Sequence, residues 1–103
     1  MDAKIAVELV CASLLGEHAI PVKIRTRDRV TEEEVNELFL AIDFLIRHYR
    51  EQDTVPKNLA LAFVDIYAGF SVAEGFYSDD EIKRYEDIGI ALQEKAYDLF
   101  EGA

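Results

Sequence analysis

Residues 31–51 read TEEEVNELFLAIDFLIRHYRE, and this stretch decides the fold class. Val35, Leu38, Phe39, Ile42, Leu45, Ile46 and Tyr49 recur at intervals of three and four, the spacing that gathers apolar side chains on one face of an α-helix. Thr31 with Glu34 three residues on is a capping box, in which each side chain satisfies a backbone N–H that the first turn leaves open. Arg47, His48 and Arg50 fall in the last turns, where cations suit the negative end of the helix dipole. The spacing predicts a helix from Thr31 to about Glu51.

Three further segments carry the same period. The first runs from about Asp2 to Gly16, with Ile5, Leu9 and Ala12 on one face, Val7, Val10 and Leu14 beside them, and Gly16 as the stop. Another starts near Thr54-Val55-Pro56, since proline is tolerated in a first turn. Leu59, Phe63, Ile66, Phe70 and Ala73 line one of its faces, and Leu61, Val64, Tyr67 and Val72 cover much of the rest, so this helix is expected to be the most buried. Gly69 and Gly75 weaken it and mark either close helix contacts or an early end. The last segment opens with a second capping box, Ser78 and Glu81, and turns Ile82, Tyr85, Gly89, Leu92, Ala96 and Leu99 inward.

Residues 17–30 differ. Ile20, Val22 and Ile24 alternate with Lys23, Arg25, Arg27 and Arg29, a period of two that reads as extended chain. A lone strand has no partner in a helical chain, so an extended crossover is expected. The predicted fold is all-α: one domain spanning residues 1–103, an irregular four-helix bundle with a long connection between its first two helices.

The 103 residues suit a single domain, and an apolar half is enough for a core. Scarce glycine and proline argue against disorder. Twenty-one acidic against eleven basic residues give a net charge of −10, which repels nucleic acid and anionic membranes alike. The acids are concentrated: residues 31–51 carry −4 and 78–101 carry −5, while 17–30 carry +2. A single cysteine, no leader-like N-terminus and no apolar run of membrane length point to a cytoplasmic protein.

No catalytic, cofactor or metal set is legible, so no enzyme activity and no cofactor are expected. A carboxylate-bridged metal bundle needs Glu-x-x-His pairs, but Leu15 and Leu45 stand three residues before His18 and His48. His48 reads as a solvated residue at a helix end. Cys11, between Val10 and Ala12, has no basic neighbour and reads as buried filler. Ser13, Ser71 and Ser78 sit in no nucleophile turn, and no glycine-rich phosphate loop occurs.

Asp65, within the apolar third helix, is either at its solvent edge, bonded to a tyrosine, or a buried specificity group; Asp43 presents the same choice. Lys23, Arg25, Arg27 and Arg29 are expected to dock on the acidic helices rather than grip phosphate.

Surfaces must then carry the function. The stretch Gly75-Phe76-Tyr77-Ser78-Asp79-Asp80-Glu81 sets an aromatic pair before three acids, which is favourable helix capping and also what an interface with a basic protein needs. In size, acidity and helix count, and in Phe76-Tyr77 leading into Asp79-Asp80-Glu81, the chain resembles the immunity proteins that bacteria make against their own secreted nuclease toxins. That resemblance implies a toxin inhibitor of bacterial competition that blocks a basic toxin through an acidic helical surface. Its partner-binding patch is expected at Tyr77, Asp79, Asp80, Glu81 and Asp87, with Glu33, Glu34 and Glu37 as a second candidate. The alternative is an acidic nucleic-acid mimic or regulatory binding module without catalysis. The expected partner is a basic protein, with no nucleic acid and no membrane, and the chain a monomer or weak homodimer.

Overall fold

The computed structural model describes residues 1–72 and 77–101, apart from the side chain of Tyr67. It is all-α: α1 Ala3–Leu15, α2 Ile20–Thr26, α3 Glu32–Tyr49, α4 Lys57–Ala62, α5 Ile66–Phe70 and α6 Asp79–Glu101. Ala73, Gly75 and Phe76, assigned above to the third helix and to the aromatic pair, lie outside the described residues, as does the side chain of Tyr67.

Both long helices begin where their caps require. The Thr31 hydroxyl accepts from the Glu34 amide at 3.2 Å, and the Thr31 amide donates to Glu34 Oε2 at 2.8 Å. Ser78 and Glu81 make the same reciprocal pair, each amide contact at 3.3 Å. Val35, Leu38, Ala41, Ile42 and Leu45 of α3 are buried, as are Tyr85, Ile88, Gly89, Leu92 and Leu99 of α6. α3 packs between α1 and α6, α4 lies on α1, and α5 on α6 and α2.

Three expectations are corrected. The connection 17–30 is not extended: Ile20–Thr26 is helical, with Pro21 in its first turn. Ile20 and Ile24, one turn apart, are both buried, so a period of four takes precedence over the apparent period of two. This helix ends at Arg27, which has φ 59° while the Asp28 amide reaches back to the Lys23 carbonyl at 2.8 Å, a left-handed cap held by a non-glycine residue. Its Ile24 carbonyl also finds a distant partner, described below.

The third predicted helix is two. Phe63 and Val64 donate to the carbonyls three residues back, both at 3.1 Å, and the α-helical ladder resumes only when Gly69 donates to Asp65. The two pieces answer to different neighbours. α5 is drawn close to both of its neighbours: a Cβ on Gly69 would stand 3.1 Å from the Pro21 side chain, and one on Gly89 would stand 2.9 Å from that of Phe70. Gly69 therefore marks a close helix contact. The split also overturns the expectation that this is the most buried helix, since Leu61 is 58% and Val64 69% exposed. With α2 added and the third helix divided, the described residues form six helical segments in place of the expected four.

In α1, which Asp2 caps by accepting from the Ile5 amide at 2.9 Å, the buried face is Ala6, Val7, Val10 and Leu14. Of the neighbouring face, Ile5 and Ala12 are exposed and Leu9 is half-buried. So many apolar residues surround α1 that local pattern alone does not choose among its sides.

Taken together, 3–26 is apolar enough to pass as a membrane-length segment, but it is two helices of 13 and 7 residues. Each is well short of the roughly 20 residues a span needs.

Candidate protein-binding surface

The residues singled out as a binding patch divide between internal work and open surface. Tyr77 is drawn inward: it is half-buried, its hydroxyl donates to the Ile24 carbonyl at 2.6 Å, and its ring meets Tyr85 edge-on at 5.3 Å. It fastens the end of α2 to the start of α6. Burial, with the neighbouring Tyr85, pushes its phenol above the ordinary tyrosine value. Arg84 acts beside it, donating to the Val30 carbonyl at 3.0 Å and lying 5.7 Å from the centre of the Tyr85 ring.

Glu34 is also committed. It accepts from Lys23 at 2.8 Å, with only about a quarter of each side chain exposed. Burial alone would raise its carboxyl, but the hydrogen bonds from Lys23 and Thr31 outweigh that and hold it below the ordinary glutamate value. The expected docking of the basic segment on an acidic helix is thus seen at Lys23. Arg25 and Arg29 are exposed.

Asp79, Asp80, Asp87, Glu33 and Glu37 remain exposed, as does Glu81 outside its capping role. Asp80 and Asp87 belong to an open groove between α3 and the first half of α6, and its opposite wall carries Glu32, Asn36 and Phe39. Val35 and Ile88 line its apolar floor. Of the first candidate patch only Asp80 and Asp87 line this groove, and of the second, Glu33, Glu34 and Glu37, none does; the acid on the α3 wall is Glu32. Two cations, Lys83 and Arg84, line the groove as well; Lys83 pairs with Asp87 at 2.8 Å, a one-turn contact exposed on both sides that holds the lysine pKa up.

Toward the far half of the same helix pair, Lys95 bonds Asp43 at 2.5 Å and lies 5.2 Å from the Phe39 ring centre. Asp43 is thereby accounted for as half of an interhelical pair. Glu33 and Glu81 share a neighbouring depression with Arg27 and Arg29, where charges of both signs mix.

Glu32 and Phe39 are among the groove members that the sequence does not single out. Glu32 was legible only as one of three acids behind a cap, and Phe39 only as part of the buried stripe. What gives them a place in the groove is the packing of α6 against α3.

The other candidates are quieter. Asp65 is exposed at the turn before α5, the solvent-edge reading, and makes no capping bond there. Cys11 is half-buried, its thiol lies 3.6 Å from the Asn58 carbonyl, and burial raises its pKa, which disfavours the reactive thiolate. His48 is exposed and packs by its ring between Phe44 and Tyr49. Among the described residues no group of histidine, cysteine and carboxylate side chains is arranged to hold a metal ion. Comparison with protein-family models, curated proteins and solved structures finds no match.

Proposed function

We propose that the chain is a toxin-neutralising binding protein of the immunity class, which occludes a basic protein, a nuclease toxin foremost, with its α3–α6 groove. The supporting observation is that Glu32, Asp80 and Asp87 converge from segments almost fifty residues apart over an apolar floor, while the two cations of the lining are engaged, Lys83 with Asp87 and Arg84 with the Val30 carbonyl. A guanidinium or ammonium group from the partner would meet carboxylates on both walls, while its methylene stem lies along Val35, Phe39 and Ile88. Lys83 would give up Asp87 to the incoming cation at little cost, because that surface pair is weak.

A nuclease holds its substrate's phosphates with cationic side chains, so an acidic ridge competes for the same groups and is steered toward them from a distance. No bond is made or broken. The net charge of −10 adds long-range attraction to a basic partner, and the protein acts in the cytoplasm of the cell it protects. In this reading the frame is an irregular four-helix bundle, with α1, α3, α4 plus α5, and α6 as its members and α2 within the long connection.

The test uses the product of the reading frame beside this gene as the candidate toxin. Changing Glu32→Gln, Asp80→Asn and Asp87→Asn together is expected to slow association about tenfold at low salt, with the gap closing at high salt. Kinetics that ignore all three changes would remove the groove from the interface. Competition with duplex DNA for several unrelated basic proteins would move the protein to the nucleic-acid mimics.

A further inference from the structure

A different face of α6 carries a second surface, whose chemistry the acidic groove does not share. Ile90 is 53%, Tyr97 72% and Phe100 42% exposed, at spacings of seven and three that keep them on one side of the helix. Across from them, where α4 and α5 part, lie the half-buried Phe63 and the exposed Val64, and Phe63 meets Phe100 edge-on at 5.4 Å. Two shallow depressions abut here over Ile66 and Gln93, so that an apolar trough follows α6. No described lysine or arginine lines either depression, and each has one carboxylate, Glu86 toward the start and Glu101 at the end. The rise of an α-helix puts these two acids about 22 Å apart along the axis.

We infer that this trough docks an amphipathic helix of another protein, with apolar residues along one face and basic residues near both ends. The trough supplies apolar area for the helix face, and Glu86 and Glu101 supply a charge at each end, the arrangement of helix-in-groove recognition. Charge decides against a second copy of this chain: a paired trough would set these carboxylates against one another, and a chain of net charge −10 repels itself further. The inference stands apart from the α3–α6 groove, since it uses none of Glu32, Asp80 or Asp87.

The probe is a fluorescent amphipathic peptide of about 18 residues, leucine on one face and lysine near both ends, long enough to span the two acids. Its binding is followed by anisotropy at low and high salt. Ile90→Ser with Tyr97→Ser, both exposed positions, is expected to weaken binding about tenfold or more at either salt. Glu86→Gln with Glu101→Gln is expected to weaken it about threefold at low salt and less at high salt. Circular dichroism of each variant shows that the fold is kept.

The groove variant Glu32→Gln/Asp80→Asn/Asp87→Asn should bind the peptide within about twofold of the parent, which separates this surface from the groove. Equal binding of a peptide with glutamate in place of lysine would overturn the basic partner. Unchanged binding by the Ile90/Tyr97 variant would overturn the trough. A parent chain that sediments as a dimer and becomes monomeric in that variant would make the occupant a second copy and overturn the inference as well.

Discussion

The starts of α3 and α6 are near-copies in sequence and differ in what surrounds them. TEEEVNEL and SDDEIKRY share a hydroxyl cap, three acids, a β-branched residue four positions after the cap and a large buried residue seven after it. Locally they behave alike, and both boxes close. At Thr31 the box is partly buried and its glutamate is also bridged to Lys23 of α2. At Ser78 the box is exposed and its glutamate has no such bridge among the described residues. The same motif is a structural junction in one place and a solvent-facing cap in the other. A capping sequence sets where a helix begins, but whether its acids are available to a partner depends on what packs beside it.

The largest effect that sharpens this contrast lies seven residues past the first cap. Leu38 is fully buried, and Leu38→Ala should destabilise the protein by about 2–5 kcal/mol in urea denaturation, as large-to-small core changes do. A loss below about 0.5 kcal/mol would mean that α3 is not the central helix.

Next come the caps themselves. Thr31→Ala should cost about 1–2 kcal/mol, and Ser78→Ala about 0.5–1, because only the first leaves a partly desolvated carboxylate and amide without their reciprocal partner. Equal losses in parallel denaturation curves would erase the distinction drawn between the two boxes.

The smallest effect is a pH dependence. Folding lowers the Glu34 pKa, so the folded state binds that proton less tightly than the unfolded chain. The stabilisation is therefore full above the ordinary glutamate value, about 4.3, and fades as pH falls through the lower folded value. Glu34→Gln keeps the cap acceptor but loses the charge facing Lys23. Its stability deficit should be greatest above about pH 5 and shrink on acidification. A deficit constant from pH 7 to pH 3 would show that the bridge contributes nothing through charge.

The caps at Thr31 and Ser78 and the stop at Gly16 were legible because they are made by residues within four positions of one another. The proposed patch was legible as composition, yet two of its eight members had internal duties. Tyr77 is taken up by a carbonyl 53 positions away and Glu34 by a lysine 11 positions away, contacts that no local window contains.

The all-α class, the N-termini of α3 and α6 and most of the inward stripe of each follow from residues a few positions apart, because helix period and capping are short-range. The helix at Ile20–Thr26, the break of the third helix at Phe63–Asp65 and the choice of the buried side of α1 depend on long-range packing. In each case several local conformations or faces are close in energy. Burial of Ile20 and Ile24, the close approaches at Gly69 and Gly89, and the packing of α3 against α1 select among them. The meeting of Glu32 with Asp80 and Asp87 is of the same kind, since two acidic segments form one groove only when their helices are brought side by side.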